Sequence, residues 1–415
     1  MTQSKDNKIL SVVHPVCCGI DVHKMIVVAC VLSPGKDGEV KKVIKEFGTF
    51  TDDLFDLKKW LLEFECPVVA MESTGIYWQP LHNVLEDAFE IVLVNARHMK
   101  NVPGRKTDVS DSQWIAELLR HGLLKSSFIP PKHVRQWRDL SRLKKKQIST
   151  LSSYKNRVHK LFESANIKID SVVSDLFGVT GRNLIDLLLS NKAISLDEVK
   201  SCTRGKLKPK VNELYRSIKG FFNDHHRFVL ESLMRTIAYL EEEIKLLHTR
   251  LQDLLSDRKD VINRLIEVPG IQENSAFAIL SEIGDTLETF ENSPALCSWA
   301  GVCPGNNQSA GKRKTGKIRV RGQLLKTTLV EVAWAAIKKK DSFYREKYRR
   351  LRLRRGPKKA IVAIAHKILK AVFDIIRNGN RYKELGLVHF EKKKEKTLSK
   401  LILELEKHGL KAVPA

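Results

Sequence analysis

Hydrophobic and polar positions divide the 415-residue chain into a β-rich beginning and a long helical remainder. Residues 16–32, VCCGIDVHKMIVVACVL, are apolar and β-branched except at Asp21, His23 and Lys24, which predicts a core strand. SPGKDGE supplies a turn, and EVKKVIKEFGTF predicts further strand in a meander. TDDLFDLKKWLLEF combines an acidic start with the apolar spacing of an amphipathic helix, and CPVVAMEST is a short buried strand ending at Glu72. A helix around residues 78–88, a strand EIVLVN and a helix from about Asp108 to His121 follow. The order β-β-β-α-β-α-β-α predicts an α/β layout in which a meander feeds parallel strands.

From about Ser126 the pattern turns helical and basic. RLKKKQISTLSSYKNRVHKLFES places Lys and Arg on one side and leucines on the other, which suits phosphate binding or a solvated face equally. SDLFGVTGRNLIDLLL reads as a helix-turn-helix packing segment. Leu233, Ile237, Leu240, Ile244, Leu247, Leu251 and Leu254 then repeat at alternating spacings of 4 and 3, the a/d seam of a coiled coil. Such a seam pairs with a second protomer or folds back on an internal helix, and homodimerisation is the expectation taken here. LIEVPGIQENSAFAILSEIGD predicts helix, tight turn, helix, with backbone N–H groups near Gly270 offering a seat for a phosphate; plain helix-hairpin packing explains the same pattern.

Charge sharpens the picture. Lys and Arg outnumber Asp and Glu by 73 to 48, a formal +25, which favours a polyanionic partner, foremost a nucleic acid. Residues 311–360 alone hold nineteen Lys or Arg against three acids, interleaved with Trp334, Phe343, Tyr344 and Tyr348. No apolar run is long enough for a membrane span and no secretion signal is apparent, so the expected location is the cytoplasm. Seven cysteines without CxxC spacing point to buried reduced thiols instead of disulfides or zinc.

Two constellations carry candidate chemistry. Asp21 lies in the first strand and Glu72 at the end of a later one that would neighbour it, while Asp108 and Asp111 share a helix face. Clustered carboxylates repel one another unless divalent cations neutralise them, and oxygen-only ligands select magnesium or manganese. Two such ions about 3.5–4 Å apart clamp a phosphodiester. The ordinary alternative is a set of solvated acids, with Asp108 capping its helix. His23, two residues from Asp21, is expected to be a satisfied core histidine. The second constellation is CPGNNQSAGKRKTG, residues 303–316, in which Ser309 sits among glycines, amides and lysines. Its glycine spacing does not make a nucleotide-binding P-loop. Cations and amides there stabilise charge developing on a phosphate attacked by serine, although a basic loop with an idle serine has the same composition.

GIDVHK, AMESTG, KTDVSD, PGI with AILSEIGD, and SWAGVCPGNNQSAGKRKTGK together resemble the IS-one-ten family of insertion-sequence transposases, over nearly the whole chain. The expected chain is α/β plus α: the resemblance implies an N-terminal RNase H-like (RuvC-like) domain at residues 14–125 and a mainly helical serine-bearing transposase domain at 259–385, and the residue pattern adds a helical linker and coiled coil at 126–258 and a basic helical tail at 386–415. The resemblance implies a metal site of Asp21, Glu72, Asp108 and Asp111 holding Mg2+, with Mn2+ as substitute. It further implies Ser309 as a nucleophile that forms a phosphoserine link to DNA across an oligomeric, composite site. Lys106, Gly270, Lys312, Arg313, Lys314, Lys317, Arg319 and Arg321 are the expected nucleic-acid contacts. The implied partners are double-stranded DNA, a noncoding bridge RNA that pairs with donor and target, and further copies of the chain as a homodimer or homotetramer. A metal-dependent junction resolvase using water, and a non-catalytic RNA-binding scaffold, are the alternatives.

Overall fold

The apolar run at residues 16–32 is two strands in the computed structural model, which describes residues 11–35, 39–73, 75–95, 110–190, 193–304, 307–309, 312–315, 323–386, 399, 402, 404 and 406–408. β1 (Cys17–Val22) and β2 (Val27–Pro34) pair antiparallel with Val22 opposite Val27. The polar pair His23-Lys24 opens the turn between them, where His23 N–H donates to the Ile26 carbonyl at 2.9 Å. A run buried on both faces has no alternation to mark such a break.

The chain divides into two compact units, Met1–Ile129 and Pro130–Ala415. In the first, β3 (Val40–Phe47) extends the meander, while β4 (Val68–Glu72) and β5 (Glu90–Val94) join parallel on the other side of β1. The resulting mixed sheet has the order β3-β2-β1-β4-β5, consistent with an RNase H-like domain. Side chains alternate across it. Cys18 and Ile20 pack with Leu57, Leu61, Leu81 and Leu85 of helices α1 (Thr51–Glu63) and α2 (Trp78–Leu85). Cys17, Val68 and Ala70 face the opposite way, onto Ile115, Ala116 and Leu119 of α3 (Asp111–Arg120). Each of these fully buried leucines contributes about 1.5–3 kcal/mol, so both sheet faces are firmly covered.

α3 lies so close to the sheet that only glycine fits beneath it. A Cβ on Gly19 would stand 2.2 Å from both Ser112 O and Ala116 N. The helix is thereby seated directly over the middle of β1.

The second unit is built on α4 (Lys132–Ser164) and α9 (Asp224–Leu254). Between them lie the short helices α5 (Ile169–Val172), α6 (Val179–Leu189), α7 (Leu196–Cys202) and α8 (Val211–Ser217). Lys155 meets Glu241 at 3.1 Å and Lys144 meets His248 at 2.9 Å, pairings that make α4 and α9 antiparallel neighbours. Leu230 and Ile237 of α9 are buried with Val158, Phe162, Leu184 and Leu214, and Leu240 and Leu251 are buried further along. The heptad seam therefore has an internal partner within the chain. Sequence spacing records that a stripe is covered, not which chain covers it.

α10 (Lys259–Ile266) and α11 (Glu273–Ile283) form the expected helix–turn–helix, followed by α12 (Ser293–Trp299). Arg138 on α4 donates to the carbonyls of Ser281 and Glu282 at 3.2 and 2.6 Å, satisfying the end of α11. Arg142 grips the Glu282 carboxylate with two bonds of 2.9 and 3.0 Å. The central helical region and the segment carrying Ser309 thus lie in one unit. A short ribbon of β6 (Asn307–Ser309) and β7 (Lys312–Thr315) precedes α13 (Gln323–Ala336), α14 (Phe343–Arg355) and α15 (Pro357–Asn378). Among the described residues no helix is long and apolar enough to cross a membrane.

Candidate active site

Register brings two of the four predicted acids together. β1 and β4 run parallel with Ile20 abreast of Met71, so the next positions, Asp21 and Glu72, come abreast at the carboxyl ends of both strands. They share the face that carries Gly19 and Ala70, the face covered by α3. β1 also turns back here into β2 on its other side, making this a point where the chain's connections diverge, the usual place for a site on an open sheet.

Asp111 is the first residue of α3, immediately before the Ser112 carbonyl that overlies Gly19. Gly19 in turn is two positions from Asp21 on the same face. Asp111 thus opens a helix whose next residue lies against β1, two positions from Asp21. Ser110 caps α3, accepting from Gln113 N–H at 3.4 Å. Asp108 and Lys106 lie outside the described residues.

His23 corrects one expectation. It is exposed at the β1–β2 turn, with a side chain 64% accessible, and its Nε2 lies 3.0 Å from Asp21 Oδ2. It is therefore a partner of the candidate ligand instead of a core histidine. The two-residue spacing in DVH was the available signal, obscured because the whole run looked like one buried strand.

The donor set of Asp21, Glu72 and Asp111 offers carboxylate oxygens only, the hard ligands that magnesium and manganese take. Among the described residues no three His, Cys, Asp or Glu side chains form a ready-made metal-holding group. The buried thiols play no such part: burial pushes Cys17 up to about 12 and Cys30 and Cys66 up to about 11. They are neutral core groups at physiological pH.

Ser309 closes β6, and its ladder partner in β7 is Lys312, with Gln308 opposite Arg313 and a register shift beside Asn307. A hairpin ladder thus replaces the free loop expected at Ser309 and Lys312–Lys314. Basic positions stand in register against the serine strand, an arrangement that sequence adjacency alone did not show. Lys317, Arg319 and Arg321 lie outside the described residues.

Gly270 has a packing reason for its identity. With φ of +89° it approaches α13, and a Cβ there would lie 2.3 Å from Val332 O. It also lines a cleft of about 440 Å³ with Lys144, Lys145, Asn274, Ser275 and Thr328. Lys144 is tethered there, donating to Asn274 Oδ1 at 2.7 Å, and burial lowers its affinity for a proton.

Comparison with known families decides the identity. Residues 18–167 match a family model of DEDD-type IS110 transposases, and residues 262–349 match one for transposases of the IS116/IS110/IS902 family. The chain belongs to the IS110 family of transposases. No curated protein matched in a sequence comparison. The first match spans the sheet from the second residue of β1, with Asp21, Glu72 and α3; the second spans α11, Ser309 and the first half of α14. The transposase is accordingly an enzyme of DNA recombination with DNA as its substrate, and a DEDD-type domain points to dependence on a divalent cation.

Proposed function

We propose that this transposase excises and inserts its element through a covalent serine–DNA intermediate, using Asp21, Glu72, Asp108 and Asp111 to hold Mg2+, or Mn2+ in its place. The observation that carries the reading is the register of β1 against β4, which sets Asp21 beside Glu72 under the helix that begins with Asp111. When bound, the cation would withdraw charge from a DNA phosphate oxygen and favour deprotonation of an attacking hydroxyl. His23 orients the Asp21 carboxylate through their 3.0 Å contact.

Ser309 is the proposed nucleophile. Its hydroxyl gives up a proton, Oγ bonds to phosphorus, one bridging P–O bond breaks, and the departing DNA oxygen takes up a proton. Resolution reverses these events with a different DNA hydroxyl attacking the phosphoserine. Lys312, Arg313, Lys314, Lys317, Arg319 and Arg321, together with Lys106 and the cleft at Gly270, are the proposed phosphate contacts, whose charge stabilises the transition state. Phosphate contacts carry no sequence information, so site choice is assigned to a bridge RNA that pairs with donor and target. Holding two DNA segments at once requires further copies of the chain, as a homodimer or homotetramer.

Purified transposase incubated with element-end DNA and Mg2+ should yield a protein–DNA adduct that survives denaturation. Ser309→Ala should lose the adduct, with circular dichroism showing the variant folded. Asp21→Asn should lose it as well. An adduct that persists in Ser309→Ala assigns the nucleophile elsewhere, and cleavage without any adduct favours attack by water.

A further inference from the structure

The last turn of α14 is exposed on every side among the described residues. Its base is anchored: Phe343, Tyr344 and Tyr348 are buried, Ser342 caps the helix by accepting from Arg345 N–H at 3.2 Å, and Phe343 N–H donates to Glu384 at 2.9 Å. Beyond that base, Arg352, Leu353, Arg354 and Arg355 are all exposed. Four successive residues cover the full circumference of a helix, so among the described residues nothing packs on any side of this turn. Gly356, at φ +75°, then turns the chain directly into α15, and a Cβ there would meet nothing within 4 Å. The corner juts into open solvent.

Its composition is unusual for a solvated tip. Leu353, 89% exposed, is the most exposed large apolar side chain among the described residues. Arg352, Arg354 and Arg355 share its turn and Lys358 and Lys359 follow in the first turn of α15, and among the described residues none of the five meets a carboxylate in an ion pair. Glu346 pairs instead with Arg349 and Arg350, nearer the anchored base. The free turn therefore presents concentrated positive charge around one apolar side chain on a rigid stem.

We propose that this turn enters the major groove of B-form DNA, Leu353 meeting base edges while Arg352, Arg354 and Arg355 hold the flanking phosphates. A helix about 10–12 Å across fits a groove about 12 Å wide, and four residues rise about 6 Å into a depth of about 8.5 Å. The deep, narrow major groove of A-form RNA does not admit it. Leucine suits the methyl group that thymine presents there. The inference rests on the transposase's DNA substrate and adds a direct protein contact to base edges, outside the candidate active site.

The test uses full-length transposase, a short DNA duplex and an RNA duplex of the same sequence. Dimethyl sulfate reports the grooves separately, because it methylates guanine N7 in the major groove and adenine N3 in the minor groove. Wild type should protect guanine N7. Arg352→Ala/Arg354→Ala/Arg355→Ala should weaken DNA binding by tenfold or more, flatten the salt dependence by about 3 in log–log slope, and leave RNA-duplex binding unchanged. Leu353→Ala should lose N7 protection with roughly threefold to tenfold weaker binding and no change in that slope. Circular dichroism should show both variants folded, since every altered side chain is exposed. Equal loss on the RNA duplex, protection of adenine N3 alone, or unchanged DNA binding each overturns the groove assignment. Wild type that binds no duplex DNA, even with the element's RNA present, overturns it as well.

Discussion

Gly19 offers the most demanding test of how the fold builds the acidic edge. A methyl group there would sit 2.2 Å from Ser112 O and Ala116 N, where normal packing of heavy atoms needs about 3.5–4.0 Å. The colliding atoms are backbone, so no rotamer change relieves the clash and α3 must move about 1.5 Å off the sheet. That shift loosens Ile115, Ala116 and Leu119 from Cys17, Val68 and Ala70. Overpacking by one methyl costs about 1–3 kcal/mol, and the rigidity of both partners places Gly19→Ala at the upper end. Calorimetry should record a fall of roughly 10 °C in the transition of the N-terminal unit. Hydrogen exchange should localise the loss to β1 and α3. Because Asp111 opens α3, its displacement should also reduce recombination by about a hundredfold. Gly48→Ala is the control: the nearest atoms its Cβ would meet belong to the Asp53 carboxylate, which can rotate away with the loss of one bond to Phe50 N–H, at about 1 kcal/mol. If Gly19→Ala melts and recombines like wild type, the close seat of α3 does not position the site.

Glu282→Ala removes the carboxylate that Arg142 grips and that helps neutralise Arg138, which is 14% exposed. The expected cost is about 3 kcal/mol, the low end for a broken buried pair because Arg142 is half exposed; a urea midpoint unchanged from wild type would refute it. Acid should weaken the second unit in two stages. Burial and the nearby Lys144 hold His248 below the ordinary histidine range, and burial with Lys367 and Lys370 does the same for His366. Below about pH 6.5 the unfolded chain therefore takes up protons that the folded chain refuses, so stability falls as pH drops through that value toward the folded-state ones. Burial tends to raise Asp285, but hydrogen bonds from Arg258 at 2.6 Å and His133 at 3.4 Å outweigh it and hold the carboxyl low. Its contribution is present above about pH 3.9 and lost on further acidification. Urea midpoints that rise between neutral pH and about pH 5.5 would contradict the histidine stage.

The sequence by itself determined that the chain begins with α/β structure and continues as helices, that acids lie at strand ends, and that the positive charge concentrates beyond residue 311. These features are local: side-chain alternation, helical spacing and charge density are properties of short windows. Tertiary structure decided what those windows meet. The apolar run at 16–32 became two strands because both faces are buried and periodicity marks no reversal, which also hid His23 as a partner of Asp21. The heptad stripe of α9 found α4, and Ser309 found Lys312 across a ladder. Asp21 came abreast of Glu72 only through the β1–β4 register, set by pairing between segments some fifty residues apart, while a glycine let α3 sit close on β1. Contacts of that separation are selected by the packing free energy of the whole unit, which no short stretch of sequence contains.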